Sequence, residues 1–330
     1  MTLAETRINY LAECLENFPR WSLVPAPTPC HRLSYLSETF GVETYCKRDD
    51  LTGFGLGGNK ARKLELLIHE AVEHKSDTLV TAGGIQSNFC RMTAAAGAAA
   101  GMDVHLVLGG EEPSRFTGNL VLDRLLGAHI HYVASPDWQA WEEESERLEG
   151  ELAASGRKPF RIPIGGSVPT GVVGYVRAFM EILQDQKRLG VSFDRIIHAS
   201  GSGGTQAGLV TGKEMTGWPG VVSGVSVVPD SESLAAAVYR LAAIASGMLG
   251  GRVRRETVRV DEEFSGPAYA VRTAEAEAAI RTFARREGIF LDHVYTGKAA
   301  AALLQGLEQG TYSGETVLFL HTGGHPELFA

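Results

Sequence analysis

"FDRIIHASGSGGTQAGL", residues 193–209, is a short apolar run that breaks into three glycines within four residues and then enters a helix-compatible stretch. A β-branched run closed by glycines and followed by a helix-compatible segment is half of a βαβ unit. The same plan recurs along the chain. "TLVTAGG" (78–84) precedes an Ala-rich helix, and "DVHLVLGG" (103–110) precedes "NLVLDRLLG" (119–127). "HIHYVAS" (129–135) is followed by the periodic segment 137–154, and "VVSGVSVV" (221–228) and "TVLFLHTGG" (316–324) complete the set. Strands alternating with helices predict an α/β protein built on open, twisted, mostly parallel sheets flanked by helices. In such sheets ligands sit beyond the carboxyl ends of the strands. Three of these ends, "TAGGIQSN", "HASGSGGTQAG" and "LHTGG", carry small or hydroxyl residues and are candidate walls of one pocket.

The bulk properties narrow the function classes. The chain has 330 residues, 44% hydrophobic and 21% charged, with a formal net charge of −8, an ordinary balance for a globular protein of one or two domains. The acidic balance argues against nucleic acid and anionic membranes as partners, since phosphate surfaces demand a basic face. The longest apolar stretch, "MTAAAGAAAGMDVHLVLGG", is rich in Ala and Gly and carries Asp103 and His105, unlike a membrane span. The N-terminal segment lacks a basic patch followed by an apolar core, so no signal peptide is expected. Cys14, Cys30, Cys46 and Cys90 are widely and irregularly spaced with no CxxC pair, which favours reduced thiols in a cytoplasmic protein over a disulfide scaffold or zinc site. No metal is expected.

Four segments carry candidate chemistry. Gly201, Gly203 and Gly204 allow a backbone nest whose N–H groups point at an anion, with Ser202 and Thr205 as hydroxyl donors. The segment lacks the GK[ST] ending of a nucleotide P-loop, so the choice is between a monophosphate cup and a tight strand–helix turn. "GLGGNKARKLE" (55–65) is a second glycine loop, ending on Lys60 at the start of an apolar helical period. A cation is disfavoured at a helix N-terminus, and an amine near a phosphate cup suggests a Schiff base to pyridoxal phosphate. The bland alternative is a solvated basic turn of Lys60, Arg62 and Lys63. In "GIQSNFC" (84–90), Ser87 and Asn88 are N-cap-type residues where backbone N–H groups are also free for a carboxylate. In "LDHVYTGKAA" (291–300), Tyr295 either packs or serves as an acid–base group.

Taken together these segments resemble the pyridoxal-phosphate enzymes of fold type II, the tryptophan synthase β-like group, and within them the 1-aminocyclopropane-1-carboxylate deaminase / D-cysteine desulfhydrase family. The resemblance runs through "PTPCHRLSYLSETFG", "CKRDDLTGFGLGGNKARKLE", "GGIQSNFCRMTAAAG", "IPIGGSVPTGVVGYV", "HASGSGGTQAGL", "VYTGKAAAAL" and "VLFLHTGG", in that order. It implies a smaller α/β domain at about 61–170, a larger cofactor-binding domain from 1–60 and 171–330, an active site in the cleft, and a homodimer. Lys60 would carry the cofactor and shuttle the Cα proton, with Asn59 beside it. Asn88 would hydrogen-bond the phenolic oxygen. Ser87, with the backbone of Asn88 and Phe89, would hold the substrate carboxylate. Gly201, Ser202, Gly203, Gly204 and Thr205 would form the phosphate cup. Tyr295 and Tyr269 would lie near the substrate and Thr322 near the pyridine nitrogen.

Two positions separate activities within that family. The ring-opening deaminases resemble one another in having Glu after the tyrosine and Leu in "HLGG". This chain has Thr296 and Thr322 there, the pattern of the desulfhydrase branch, and both threonines are expected in the cofactor-binding set. Phe89 stands where that branch often has His and the ring-opening deaminases have Gln, so a polar contact near the substrate is expected to be missing. The implied reaction is β-elimination on a small amino acid, D-cysteine first. L-Cysteate sulfo-lyase, ring-opening deaminase and serine/threonine dehydratase are the enzyme alternatives. A non-catalytic binding protein on the same scaffold is the alternative from another class.

Overall fold

The computed structural model describes residues 2–330. In chain order the helices and strands are α1 (Leu3–Glu16), β1 (Cys30–Arg32), α2 (Ser34–Phe40), β2 (Glu43–Arg48), α3 (Lys60–Glu73), β3 (Thr78–Gly84) and α4 (Asn88–Ala100). They continue with β4 (Asp103–Gly109), α5 (Gly118–Leu125), β5 (His129–Val133), α6 (Trp138–Ala154), β6 (Pro159–Ile162) and α7 (Pro169–Leu189). The last third holds β7 (Arg195–Ser200), α8 (Gly204–Thr216), β8 (Val221–Ser226), α9 (Ser231–Met248), β9 (Arg259–Asp261), α10 (Ala274–Arg286), α11 (Thr296–Glu308) and β10 (Thr316–His321).

Six strands form one sheet in the order β1-β2-β10-β7-β8-β9, and four form a second in the order β5-β4-β3-β6. Only the β1–β2 pairing is antiparallel; the pairings of β10, β7, β8 and β9, and all those in the second sheet, are parallel. This is the α/β architecture expected from the strand–helix alternation.

Both faces of each sheet are covered, which is why the central strands read as apolar runs rather than alternating ones. Tyr175 and Phe179 of α7 and Leu209 and Val210 of α8 pack on Ile196 and Val222 of the larger sheet. Its other face presents Ile197, Val225 and Phe319 to Phe283 of α10 and to the Ala299–Leu303 stretch of α11. On the smaller sheet, Leu79 and Leu106 face Leu64 and Ile68 of α3 and Met92 of α4. Val80 and Val107 point the other way, to Trp141 and Leu148 of α6.

Between β2, α3 and α7 lies a buried ionic knot. The Lys47 ammonium sits 2.5 Å from Glu181 and 2.6 Å from Asp185. The Arg62 guanidinium bridges Asp49 at 2.7 Å and Glu181 at 2.9 Å. Thr28 donates its backbone N–H to Glu181, and Tyr175 donates its hydroxyl to Asp49 at 2.6 Å. The knot fixes the start of α3 against the larger sheet, two residues from Lys60. The cysteines are all unpaired, and no helix among the described residues is long and apolar enough to cross a membrane.

Candidate active site

The three glycine-bearing strand ends meet. Gly83 and Gly84 from β3, Ala199 to Thr205 after β7, and Thr322 to Gly324 after β10 all line one cavity. Lys60 enters it from the start of α3.

The loop before Lys60 is bent by close approach. Gly57 has φ +78°, and a Cβ there would lie 1.8 Å from the Asp50 carbonyl oxygen, a contact only glycine tolerates. Gly58 donates its N–H to Asp49 O, and Asn59 donates its own to Thr322 O at 2.9 Å. The loop is thereby stitched to the end of β10, and the first residue of α3 faces the cavity. Lys60 is half-buried, and burial pulls its pKa down to about 8. Lys63, one turn on, is wholly buried. Its pKa falls further, through burial first and then the neighbouring Lys60 charge. The solvated basic turn considered for Lys60, Arg62 and Lys63 is therefore overturned: Arg62 is in the ionic knot and Lys63 is inside the protein.

A lysine with its pKa lowered to about 8 is half unprotonated at that pH, against an ordinary value of about 10.4. The rate at which cofactor-free protein captures pyridoxal phosphate should therefore rise about ten-fold per unit below the pKa and level off above it. Stopped-flow absorbance from pH 6 to 10 checks this; a rate still climbing at pH 10 would contradict it.

The cup is built from two sides. Gly203 is in the left-handed region, and α8 begins at Gly204. Asn59 donates its side-chain N–H to the Thr205 hydroxyl at 2.9 Å, and Ser202 and Ser167 share a hydroxyl–hydroxyl bond of 2.7 Å. Lys63 donates from Nζ to Gly165 O at 3.0 Å and to Ser167 at 3.4 Å. It lies so close to the cup that a Cβ on Gly204 would be 2.6 Å from Nζ. Helix N–H groups, hydroxyls and the buried Lys63 amine, which a phosphate beside it would hold protonated, make a donor set suited to a phosphate monoester. The Ser200 hydroxyl, also on the cavity wall, is buried without a partner.

At the start of α4, Ser87 is the N-cap and accepts from the Cys90 N–H at 3.2 Å. Its hydroxyl proton and the first-turn N–H groups remain for a carboxylate. Asn88 reaches the cavity, and its Oδ1 accepts from Asn119 at 3.0 Å. Phe89 is 2% exposed and belongs to the core between α3, α4 and the smaller sheet. Its ring packs on the 165–166 turn, where a Cβ on Gly166 would meet it at 2.9 Å. The polar contact that His or Gln would offer is thus replaced by packing under the loop. Burial pushes the Cys90 thiol well up, as befits a small buried hydrophobe.

Tyr269 and Tyr295 bond through their hydroxyls at 2.5 Å. Burial pushes Tyr269 up to about 12 even though its bond to Tyr295 pulls the other way. Tyr295 is raised further, by burial and by Tyr269. Both phenols are thus protonated at neutral pH, so one hydroxyl donates to the other and the second proton is free to face a ligand. Trp138 stands edge-on to Tyr269 at 5.3 Å between centroids, and Trp141 lies beside it. Thr322 lines the cavity, but Thr296 does not. Its hydroxyl is spent on Asp292 at 2.6 Å, as the first residue of α11. The structure thus brings together every anticipated site residue except Thr296.

Lys63, Trp138, Trp141 and Asn119 were not anticipated. Lys63 was visible as a cation one turn after Lys60, and the tryptophans as an i, i+3 pair opening the helix after β5. Nothing local marked Asn119.

A family model described as "Pyridoxal-phosphate dependent enzyme" matches residues 22–323. A Pyrococcus furiosus protein, provisionally named a 1-aminocyclopropane-1-carboxylate deaminase, is 40% identical over 311 residues, covering 94% of this chain and 93% of its own. The D-cysteine desulfhydrase of Yersinia pestis (strain Pestoides F) is 39% identical over 329 residues, 97% of this chain and 98% of its own. The crystal structure of a 1-aminocyclopropane-1-carboxylate deaminase homologue superposes with a TM-score of 0.92 at 38% identity, covering 97% of this chain and 96% of that one.

Proposed function

The chain belongs to the pyridoxal-phosphate dependent enzymes, and on that footing we propose that it performs β-elimination on D-cysteine, releasing sulfide, pyruvate and ammonia. The cofactor fits the donors present: an anion cup with the buried Lys63 amine beside it, a Lys60 amine of lowered pKa, an amide at Asn88, a hydroxyl at Thr322 and an unpartnered Ser200 hydroxyl. Bound there, pyridoxal phosphate supplies an electron sink that acidifies the Cα–H of an amino acid joined to it.

The chain's own groups do the rest. Gly201 to Thr205, with Lys63 and Ser167, hold the phosphate. Ser87 and the first-turn N–H groups of α4 orient the substrate carboxylate. The Lys60 amine, once freed from the cofactor, accepts the Cα proton. The Tyr269–Tyr295 pair holds a proton beside the departing β-substituent, and Trp138 narrows that side and excludes water. We take 61–170 as the smaller domain and 1–60 with 171–330 as the larger. A cytoplasmic homodimer completes the proposal; the exposed apolar Leu56, Val121 and Phe329 around one shallow groove support a second copy there.

One observation carries the choice of substrate: the charged groups lining the cavity are all cations, and none of its lining residues is Asp or Glu. Lys60 is the amine, Lys63 belongs to the cup, and Arg91 is buried with a bond to Gly57 O. Arg91 keeps Nε and Nη1 buried without a partner, the one cation on which a sulfonate leaving group could draw. No carboxylate stands ready to keep a pyridine nitrogen protonated, which disfavours ring opening. A thiolate is a good enough leaving group to need neither. Purified protein offered D-cysteine, L-cysteine, L-cysteate, 1-aminocyclopropane-1-carboxylate, serine and threonine should give sulfide and pyruvate in equal amounts from D-cysteine, at the highest kcat/KM of the set. Faster sulfite release from L-cysteate, or 2-oxobutyrate from the cyclopropane substrate, would overturn the choice.

A further inference from the structure

Asn88 reaches the cavity from α4, yet the orientation of its amide is decided elsewhere. Asn119, at the start of α5, is fully buried. Its side-chain nitrogen donates twice, to the backbone carbonyl of Gln86 at 2.8 Å and to Oδ1 of Asn88 at 3.0 Å. A carbonyl only accepts, so the atom of Asn119 facing it must be nitrogen, and the atom of Asn88 facing that nitrogen must be oxygen. Gln86 is fixed in the same way. Its Nε2 donates to the carbonyl of Thr117 at 3.2 Å, while its Oε1 accepts the Asn119 backbone N–H at 2.7 Å. Two backbone carbonyls and one backbone N–H therefore set all three amides, with no orientation left to choice.

The local sequence is shaped to allow this. Gly118 has φ +51°, and a Cβ there would lie 2.5 Å from Gln86 Oε1 and 2.9 Å from Pro326 O. Glycine at 118 is what lets the loop before α4 and the start of α5 approach closely enough for the amides to interlock. The consequence reaches the cavity. With its oxygen held by Asn119, Asn88 has only its NH₂ group to offer a ligand.

We propose that Asn119 is a positioning residue that locks Asn88 as a hydrogen-bond donor toward the phenolic oxygen of pyridoxal phosphate. The inference rests on the functional reading above. A donor at that oxygen stabilises its anionic form, in which the shared proton sits on the nitrogen of the Lys60 linkage and the cofactor absorbs at long wavelength. Without the lock, the Asn88 amide rotates freely and can turn its own oxygen toward the cofactor's.

The test is the absorption spectrum of the loaded protein at constant pH, with cofactor content assayed separately. In Asn119→Ala the ratio of long- to short-wavelength bands should fall roughly ten-fold, the weight of one hydrogen bond to an anionic oxygen. Asn119→Asp should lower it at least as far, because a carboxylate cannot donate and draws the Asn88 nitrogen away from the cofactor. Asn119→Ser carries the test where the alanine variant does not fold. Asn88→Ala should reproduce the shift, and Asn88→Ala/Asn119→Ala should add nothing to it. Loaded Asn119 variants with the parent's band ratio would overturn the proposal, as would a double variant in which the two shifts add. A parent protein with no visible band would instead refute the functional reading itself, so the two failures are distinct.

Discussion

Lys60→Ala is expected to remain colourless after incubation with pyridoxal phosphate and to lose about four orders of magnitude in turnover of D-cysteine. Two roles disappear together, the covalent hold on the cofactor and the base for the Cα proton. The neighbouring amine does not substitute. Lys63 Nζ is bound to Gly165 O and Ser167 on the cup side of the cavity, and moving it would strip a donor from the phosphate site. Absorbance and single-turnover pyruvate release measure both losses. A coloured, active Lys60→Ala protein would remove the basis of the mechanism.

Arg62→Ala is expected to destabilise the fold by about 3–5 kcal/mol at pH 7, the range for breaking a buried ion pair from one side. Asp49 and Glu181 are both buried, and each is pushed up by burial but held below its usual range by its cation partners. For Asp49 the Arg62 charge is the leading one, supported by its hydrogen bonds. Removing Arg62 leaves the Asp49 carboxylate with the Thr28 and Tyr175 hydroxyls as donors and the Lys47 charge as the nearest cation acting on it. The pH dependence follows from the sign of the shifts. In the parent the lowered carboxylates contribute stability that is present above their unfolded pKa, near 4, and is lost as pH falls through the folded values. In the variant burial is opposed only by the Lys47 charge and the remaining hydrogen bonds, so Asp49 rises from its parent value and the stability gained on raising the pH past 4 shrinks or reverses. The gap between the two proteins should therefore close in acid and open toward neutrality, as read by urea unfolding at several pH values. A gap independent of pH would mean that lost packing, not charge, sets the cost. Arg62→Lys should not restore stability, since one ammonium cannot span both carboxylates as the guanidinium does.

Much of the architecture could be read from runs such as "TLVTAGG" and "TVLFLH", whose unbroken apolar character reflects burial on both faces. The strands that escaped notice had no such run. β6 is "PFRI", half-buried for most of its length and starting with proline. β2 carries Lys47 into the interior, where the ionic knot, not apolarity, accounts for it, and ends on the part-buried Arg48, paired with Asp50. β9 is three residues at a sheet edge. The same division holds at the site. Glycine loops and N-caps are local signals, so Lys60, Ser87 and the cup at 201–205 were legible. The Asn119 lock exists only because α5 returns to the loop before α4, a pairing 31 residues apart in sequence. Thr296 shows the opposite failure: its position implied the cofactor, but Asp292, four residues back, claims its hydroxyl. Phe89 lines the cavity where it was expected, and its ring is at the same time part of the core.

Two lysines, three residues apart, line the same cavity, so the central claim is that the cofactor chooses Lys60. Borohydride reduction of the loaded protein, followed by peptide mass analysis, reads that choice directly. The account predicts the phosphopyridoxyl mass on Lys60 alone. The same mass on Lys63, or on neither residue, would contradict it.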